Sequence, residues 1–321
     1  MKSAVATLTE KIIAGFRLGR EDDLHILLES PLEELMEGAG RLQKHFCGNH
    51  VDLCTIINGR SGRCSENCRY CAQAACHNTG IKEYPFLPKE EIIANARANE
   101  AAGVNRFAIV TSGRALGGKE FDQAIEVYEE MNHSLHIDLC ASHGIISREQ
   151  FRRLRKAGVT SYHHNIETSK RFFPQICTSH TYEDRIKTIR IAQEEGMCVC
   201  SGGIIGMGET WDDRLDMALS LAELHIQSIP INALMAIKGT ELEDRPSLAP
   251  EEILRTIAIF RFINPEANIR LAAGRKLLPK NGATAFLHGA SASITGNMLT
   301  TSGTTIKEDL AILKDLGLSN K

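Results

Sequence analysis

From Val51 onward, short apolar runs alternate with longer stretches of helical period. The strand-like runs cover 51–58, 105–112, 135–142, 160–167, 197–205, 228–236, 268–274 and 285–295. Helical periodicity falls between them, near 88–102, 118–132, 147–157, 181–195, 210–225 and 249–264. Thr181 with Asp184, and Ser147 with Gln150, have the spacing of capping boxes, in which two side chains satisfy free N–H groups at a helix start. Pro250 followed by Glu251 and Glu252 suits a first helical turn, and Asn264-Pro265 ends that helix. Residues 1–46 read as short amphipathic helices, with Ser30-Pro31 as a stop and restart. Eight strands alternating with helices over about 240 residues predict a (β/α)8 barrel of the TIM type behind a short helical extension. An open doubly wound sheet is the rival, but it calls for a glycine-rich turn after the first strand, where this chain has a cysteine loop.

Composition narrows the functions open to such a fold. The 321 residues are 43% hydrophobic and 24% charged, with a formal net charge of -3. No basic excess points to nucleic acid or to an anionic membrane. The opening segment is broken by charges every few residues, and no apolar run approaches the length of a membrane span. A cytoplasmic protein is expected, and in that reducing setting ten cysteines point to metal or redox chemistry rather than to disulfides.

Three of the cysteines carry the chemistry. Cys64, Cys68 and Cys71 follow the spacing C-x3-C-x2-C on the loop directly after the first strand, which in a barrel lies on the catalytic C-terminal face. Thiolates this close can wrap one iron–sulfur cluster, and three ligands on a four-iron cube leave one iron open. Zinc in a non-catalytic binding protein is the alternative, although structural zinc sites favour a closed set of four ligands. Glycines at 202, 203, 206 and 208 let backbone come close to a ligand. Asn165 and Glu167, two apart on a strand, both face one side of it. Tyr162, His163 and His164 read as barrel packing.

C-x3-C-x2-C with Tyr70 before the last cysteine resembles the radical S-adenosylmethionine superfamily. The segments YHHNIETS (162–169), CSGGIIGMGET (200–210), PINALMAIKGTELED (230–244), IRLAAGR (269–275) and GNMLTTSGTTIKEDL (296–310) are similar, in order, to the biotin synthase family. That resemblance implies a domain from 47 to 321 whose C-terminal segment begins near 225. It implies a [4Fe-4S] cluster held by Cys64, Cys68 and Cys71, with S-adenosylmethionine on its open iron. Contacts to this cofactor fall to Tyr70, Asn165, Glu167, Gly203, Gly206 and Gly208. Dethiobiotin is the implied substrate, contacted by Asn165, Asn232, Thr300 and Thr301, and sulfur insertion into it gives biotin. A flavodoxin- or ferredoxin-type reductant and a homodimer are implied as well. A relative without sulfur insertion, of the hydrogenase-maturation or methylornithine-synthase type, is the nearest alternative.

In the family the sulfur comes from a second, two-iron cluster held by three strand cysteines and an arginine. Cys140, Cys200 and Arg270 match three of those positions, on the third, fifth and seventh strands. The fourth is Ala108, which cannot bind iron. The resemblance therefore implies a rearranged auxiliary cluster, with a four-iron type open, and Cys76 is the expected replacement ligand. Arg270 is then a ligand or a neighbour of one. Cys177 reads as a small buried apolar residue, and Cys198 shares an inward face with Cys200.

Overall fold

The computed structural model describes residues 3–299 and 303–321. Three helices open the chain: α1 (Ala4–Ile13), α2 (His25–Glu29) and α3 (Leu32–Cys47). There follow β1 (Asp52–Arg60), α4 (Lys89–Ala101), β2 (Arg106–Thr111), α5 (Gly118–Ser134), β3 (Asp138–Ser142), α6 (Arg148–Lys156), β4 (Ser161–His163) and α7 (Tyr182–Glu194). The second half holds β5 (Cys198–Cys200), β6 (Gly203–Ile205), α8 (Trp211–Glu223), β7 (Ser228–Ala233), α9 (Pro250–Ile263), β8 (Asn268–Leu271), β9 (Ala292–Ile294) and α10 (Ile306–Asp315).

All strand pairs are parallel, β9 lies beside β1, and β7 pairs with both β5 and β6. The sheet is thus a closed barrel in which β5 and β6 are two halves of one strand. That strand breaks at Ser201-Gly202 because its neighbours crowd it. A Cβ on Gly202 would lie 2.0 Å from the Pro230 carbonyl oxygen, and one on Gly203 would lie 2.2 Å from that of Glu167. Only glycine lets the backbones of β4, β6 and β7 close up here. The eight expected strands are all present, although the last is shorter than 285–295 because 285–287 lie in a 3-10 turn.

Both expected capping boxes form, at Ser147 and Thr181, and so do two more at Thr210 and Thr305. The Thr305 box opens α10, a helix absent from the periodicity reading. α10 completes the eighth unit, and its tail returns to the foot of the barrel, where the Val51 N–H donates to the Ser319 carbonyl at 2.8 Å.

Between β8 and β9 the chain makes only 3-10 turns instead of a helix. The N-terminal α3 supplies the missing cover. It packs on α9, which is buried at nearly every position from Ile253 to Ile263. Gln43 of α3 is buried, donates to the Phe286 carbonyl at 2.7 Å and accepts from the Gly289 N–H at 2.8 Å. One carboxamide thus satisfies two backbone groups of the helix-free connection. Replacing Gln43 by Leu strands both groups, and we expect a loss of about 2 kcal/mol, read by urea or thermal unfolding.

Candidate active site

The bore of the barrel is a cavity of about 450 Å³ running from the cysteine loop at the C-terminal mouth to a charged floor. At the mouth, the chain after β1 folds back on itself. The Cys64 N–H donates to the Gln73 carbonyl and the Ala75 N–H to that of Cys64, while the Cys71 N–H closes a turn on Cys68. Burial pushes the Cys64 thiol up and the Cys71 thiol up to about 11, and nearby backbone N–H groups of Glu66 and Gly113, and of Gln73 and Ala74, oppose this. Amides aimed at sulfur are what an iron–sulfur centre uses, so the donor set fits a cluster. Tyr70 and Cys71 face the cavity from this loop.

Below the mouth lies a polar shelf. Glu167 has φ of +70°, a left-handed conformation rare for a side-chain-bearing residue. Its N–H donates to Gly202 and its carbonyl accepts from Ile204, so strand crowding holds that strain in place. The Glu167 carboxylate faces Asn165 at 3.3 Å and Arg185 at 3.5 Å. Asn232 also lines the cavity; its amide donates to the Gly203 carbonyl at 3.0 Å and accepts from Ala273 N–H at 3.1 Å. One N–H and one lone pair of that carboxamide stay free for a ligand.

The inner site is built from one layer of the barrel. Cys54 on β1 pairs through β2 with Asp138 on β3, and two residues further along is Cys140. Cys140 pairs through Ser161 with Cys198, and two further along is Cys200. Cys200 pairs through Ser228 with Asn268, and two further along is Arg270. Arg270 pairs through Ala292 with Asp52, and two further along is Cys54 again. Four such steps give the stagger of a (β/α)8 barrel, so Cys54, Cys140, Cys200 and Arg270 form one layer contributed by alternate strands. Ala108 packs between Cys54 and Cys140.

Charge at this level is arranged around Arg270. Its guanidinium donates to the Asp52 carboxylate at 2.5 Å, to the Asp52 and Ser293 carbonyls at 3.1 Å and to the Ser228 hydroxyl at 3.2 Å. Burial drives the Cys54 thiol up to about 12 and the Cys140 thiol well up. Cys200 goes the other way: burial opposes its thiolate, but His163 and then Arg270 outweigh it and bring the thiol down to about 7.

Several expectations change. Cys76 is exposed on the loop and does not line the cavity that Cys54, Cys140 and Cys200 line, so the third thiol at the inner level is Cys54. Arg270 spends four of its five N–H groups on Asp52, Ser228 and two carbonyls, and its charge lies beside the inner thiols. Gly206 and Gly208 do not line the cavity; their N–H groups donate to the Glu209 carboxylate and shape a turn. His163 is not mere packing but lines the bore beside Cys200, its register partner on the neighbouring strand, whereas His164 is buried outside it. Cys177 lies against Cys68, 3.6 Å between sulfurs, and Cys198 lines the cavity below Cys200. Thr300 and Thr301 lie outside the described residues. Two signals pointed to the missed residues: the alternation that turns Asn165 and Glu167 inward also turns His163, and the layer rule that links Cys140, Cys200 and Arg270 demands a partner on β1.

The family model described as the Radical SAM superfamily matches residues 58–221, and that of the Biotin and Thiamin Synthesis associated domain matches 230–319. A biotin synthase of Alkaliphilus metalliredigens (strain QYMF) is 56% identical over 98% of both chains. Another, of Clostridium beijerinckii (strain ATCC 51743 / NCIMB 8052), is 56% identical over 97% of this chain and 99% of its own. The chain belongs to the biotin synthase family. Methylornithine synthase, at a TM-score of 0.84 and 19% identity over 98% of this chain and 97% of its own, shares the fold alone. Membership of the biotin synthase family sets aside the zinc-stabilised binding protein, and the radical SAM match implies a four-iron cluster with S-adenosylmethionine. Among the described residues no helix is long and apolar enough to cross a membrane.

The opposed titrations of the inner thiols are testable in cluster-free protein. We expect alkylation of Cys200, followed by peptide mapping, to show a midpoint near pH 7. His163→Leu removes the cation that favours the thiolate, so the midpoint rises by about 1–3 units and reaction at neutral pH slows.

Proposed function

We infer that this chain makes biotin by inserting sulfur between two saturated carbons of dethiobiotin. The C–H bonds concerned are not acidic, so no protein base removes their protons at a useful rate. When bound, the mouth cluster with S-adenosylmethionine supplies a 5′-deoxyadenosyl radical, and the inner cluster supplies the sulfur. The observation that carries this reading is one bore with two separate sets of three thiols, Cys64, Cys68 and Cys71 at the mouth and Cys54, Cys140 and Cys200 in the inner layer.

The protein's own work is positional. The Glu167 carboxylate offers acceptors to the two ribose hydroxyls of the cofactor, steadied by Arg185 and Asn165. Asn232 meets the ureido ring of dethiobiotin with its remaining donor and acceptor. Ile56, Val110 and Ile294 give the bore an apolar wall, which keeps water from a reactive carbon centre. Three thiolates in one layer, with Cys198 a step below it, suit a four-iron auxiliary cluster with one iron left to carry a transferable sulfide, in place of the two-iron one. Arg270 balances the negative charge of that assembly. The flavodoxin- or ferredoxin-type reductant, the homodimer and the cytoplasmic setting belong to the same reading and rest on family likeness.

Anaerobic assays with dethiobiotin, S-adenosylmethionine and a reductant test it. Cys54→Ala is expected to lose the inner cluster's iron and sulfide and all biotin formation, while still producing 5′-deoxyadenosine. Cys76→Ala is expected to keep both clusters and both products. Biotin formation by Cys54→Ala, or its loss in Cys76→Ala, contradicts the ligand set.

A further inference from the structure

The floor of the bore, below the inner thiols, is only partly closed. The register that sets the inner layer also sets the two layers beneath it. On the next strand in each case, Cys54 pairs with Arg106, Cys140 with Ser161, Cys200 with Ser228 and Arg270 with Ala292. Two residues before the same four stand Asp52, Asp138, Cys198 and Asn268. The interior of a (β/α)8 barrel is ordinarily filled by bulky branched side chains, and none of these positions carries one.

Two arginines cover part of this floor. Arg270, paired with Asp52, spans the sector from β8 to β1. Arg106 lies under Cys54 and Cys140, donating to Asp52 at 2.9 Å and to the Ser161 hydroxyl at 3.3 Å, with the Asp138 carboxylate 3.3 Å away. The remaining sector lies beneath β5, β7 and β8, where Cys198, Gln227, Ser228 and Asn268 line the bore. Cys198 and Gln227 are exposed, and Ser228 and Asn268 are half-buried. Cys198, Ser228 and Asn268 are the first residues of their strands, so this exposure is at the foot of the barrel. Side chains that line the bore and also meet solvent there mark a second opening, at the end opposite the cysteine loop.

The two ends differ in chemistry. Above the inner layer the wall is Ile56, Val110 and Ile294, and the mouth is given over to cofactor and substrate. Below it stand thiol, hydroxyl and carboxamide groups, with the guanidinium groups of Arg106 and Arg270 beside them. A hydrated ion passes an apolar wall only at a high cost in lost solvation, whereas fixed positive charge in a cleft draws anions. The opening also meets the inner layer between Cys200 and Arg270, on the side where the set of three thiols has no cysteine.

We propose that the opening at the foot is an entry port for hydrosulfide, which reaches the inner layer from below and restores the sulfur that leaves in the product. The port lets this small anion in without crossing the space where cofactor and substrate lie. The inference rests on the reading of Cys54, Cys140 and Cys200 as the holders of the sulfur-donating cluster. The step is a coordination: a sulfur lone pair bonds to the iron that no cysteine holds. No electron changes hands, and the proton goes to the water of the opening.

The test follows isotopically labelled sulfide added to anaerobic, reconstituted full-length protein after a single turnover, with S-adenosylmethionine and dethiobiotin present. The rate at which label becomes protein-bound, acid-labile sulfide is measured. Cys198→Phe fills the opening and is expected to slow uptake several-fold while the protein keeps its iron. Cys198→Ser leaves the opening clear and is expected to match the unsubstituted protein. Equal uptake in Cys198→Phe overturns the proposal, and so does slowing in Cys198→Ser, which would place the effect in the thiol instead of the opening. Should Cys198→Phe lose its iron, N-ethylmaleimide on the exposed Cys198 of the folded holoenzyme plugs the same place, with treated Cys198→Ser as the control; equal uptake in the two overturns the port. Cys54→Ala separates the layers of inference. Full uptake in that variant overturns the cluster assignment and the port together, whereas its loss there, beside unchanged uptake in Cys198→Phe, overturns the port alone.

Discussion

The ion pair between Arg270 and Asp52 sits at the seam where the last strands of the barrel return to the first. From β8, Arg270 reaches the backbone of both β9 and β1 and the side chain of Ser228 on β7. Four strands are therefore tied by one buried guanidinium. Asp52 is buried too, and burial works against its charge, but Arg270 and then Arg106 hold its carboxyl below the usual range. A charge pair of this kind stands only while both partners are present, since stripping one away costs about 3–5 kcal/mol. The same cation also favours the thiolate of Cys54 and, after His163, that of Cys200. Closure of the fold and the electrostatics of the inner site thus share one interaction.

That sharing explains how the inner site tolerates alanine at position 108. Ala108 belongs to an even strand, and the thiols Cys54, Cys140 and Cys200 belong to odd ones. With Arg270 they complete a single layer, which brings three sulfurs and one cation to the same depth. The small Ala108 side chain leaves room between two of them. The mouth site follows another logic: its cysteines lie on a loop, close in sequence, and depend on backbone hydrogen bonds for their placement. The polar shelf of Asn165, Glu167 and Asn232 lies between the two, at the level where β5 and β6 part and only Gly202 and Gly203 fit.

Much of this was legible in the sequence because it is periodic or local. Alternating strand and helix signals gave the barrel, capping-box spacings marked helix starts, and three cysteines in one loop marked the mouth. What escaped is non-local. Cys54 sits inside an apolar run, where cysteine passes for a small hydrophobe, and only the register around the whole barrel brings it beside Cys140. Cys76 misled through its nearness in sequence to Cys71, yet the loop turns it out to solvent. The amphipathic pattern of α3 marks an apolar face but not what it covers, which is the connection from β8 to β9 that lacks a helix of its own. The Thr305–Glu308 capping box that opens α10 went unread because it follows the last of the strand–helix alternations, and Gly206 and Gly208 read as ligand contacts because a glycine-rich turn carries no mark of what its amides bind.

The claim at the centre of this account is that the inner thiol layer, and not the mouth loop, holds the second cluster. Anomalous diffraction at the iron edge from anaerobically reconstituted crystals tests it most directly. The account predicts two separate iron positions, one among Cys64, Cys68 and Cys71, and one bonded to Cys54, Cys140 and Cys200 with Arg270 alongside. A second iron position bonded to Cys76, or none within reach of Cys54, would contradict it.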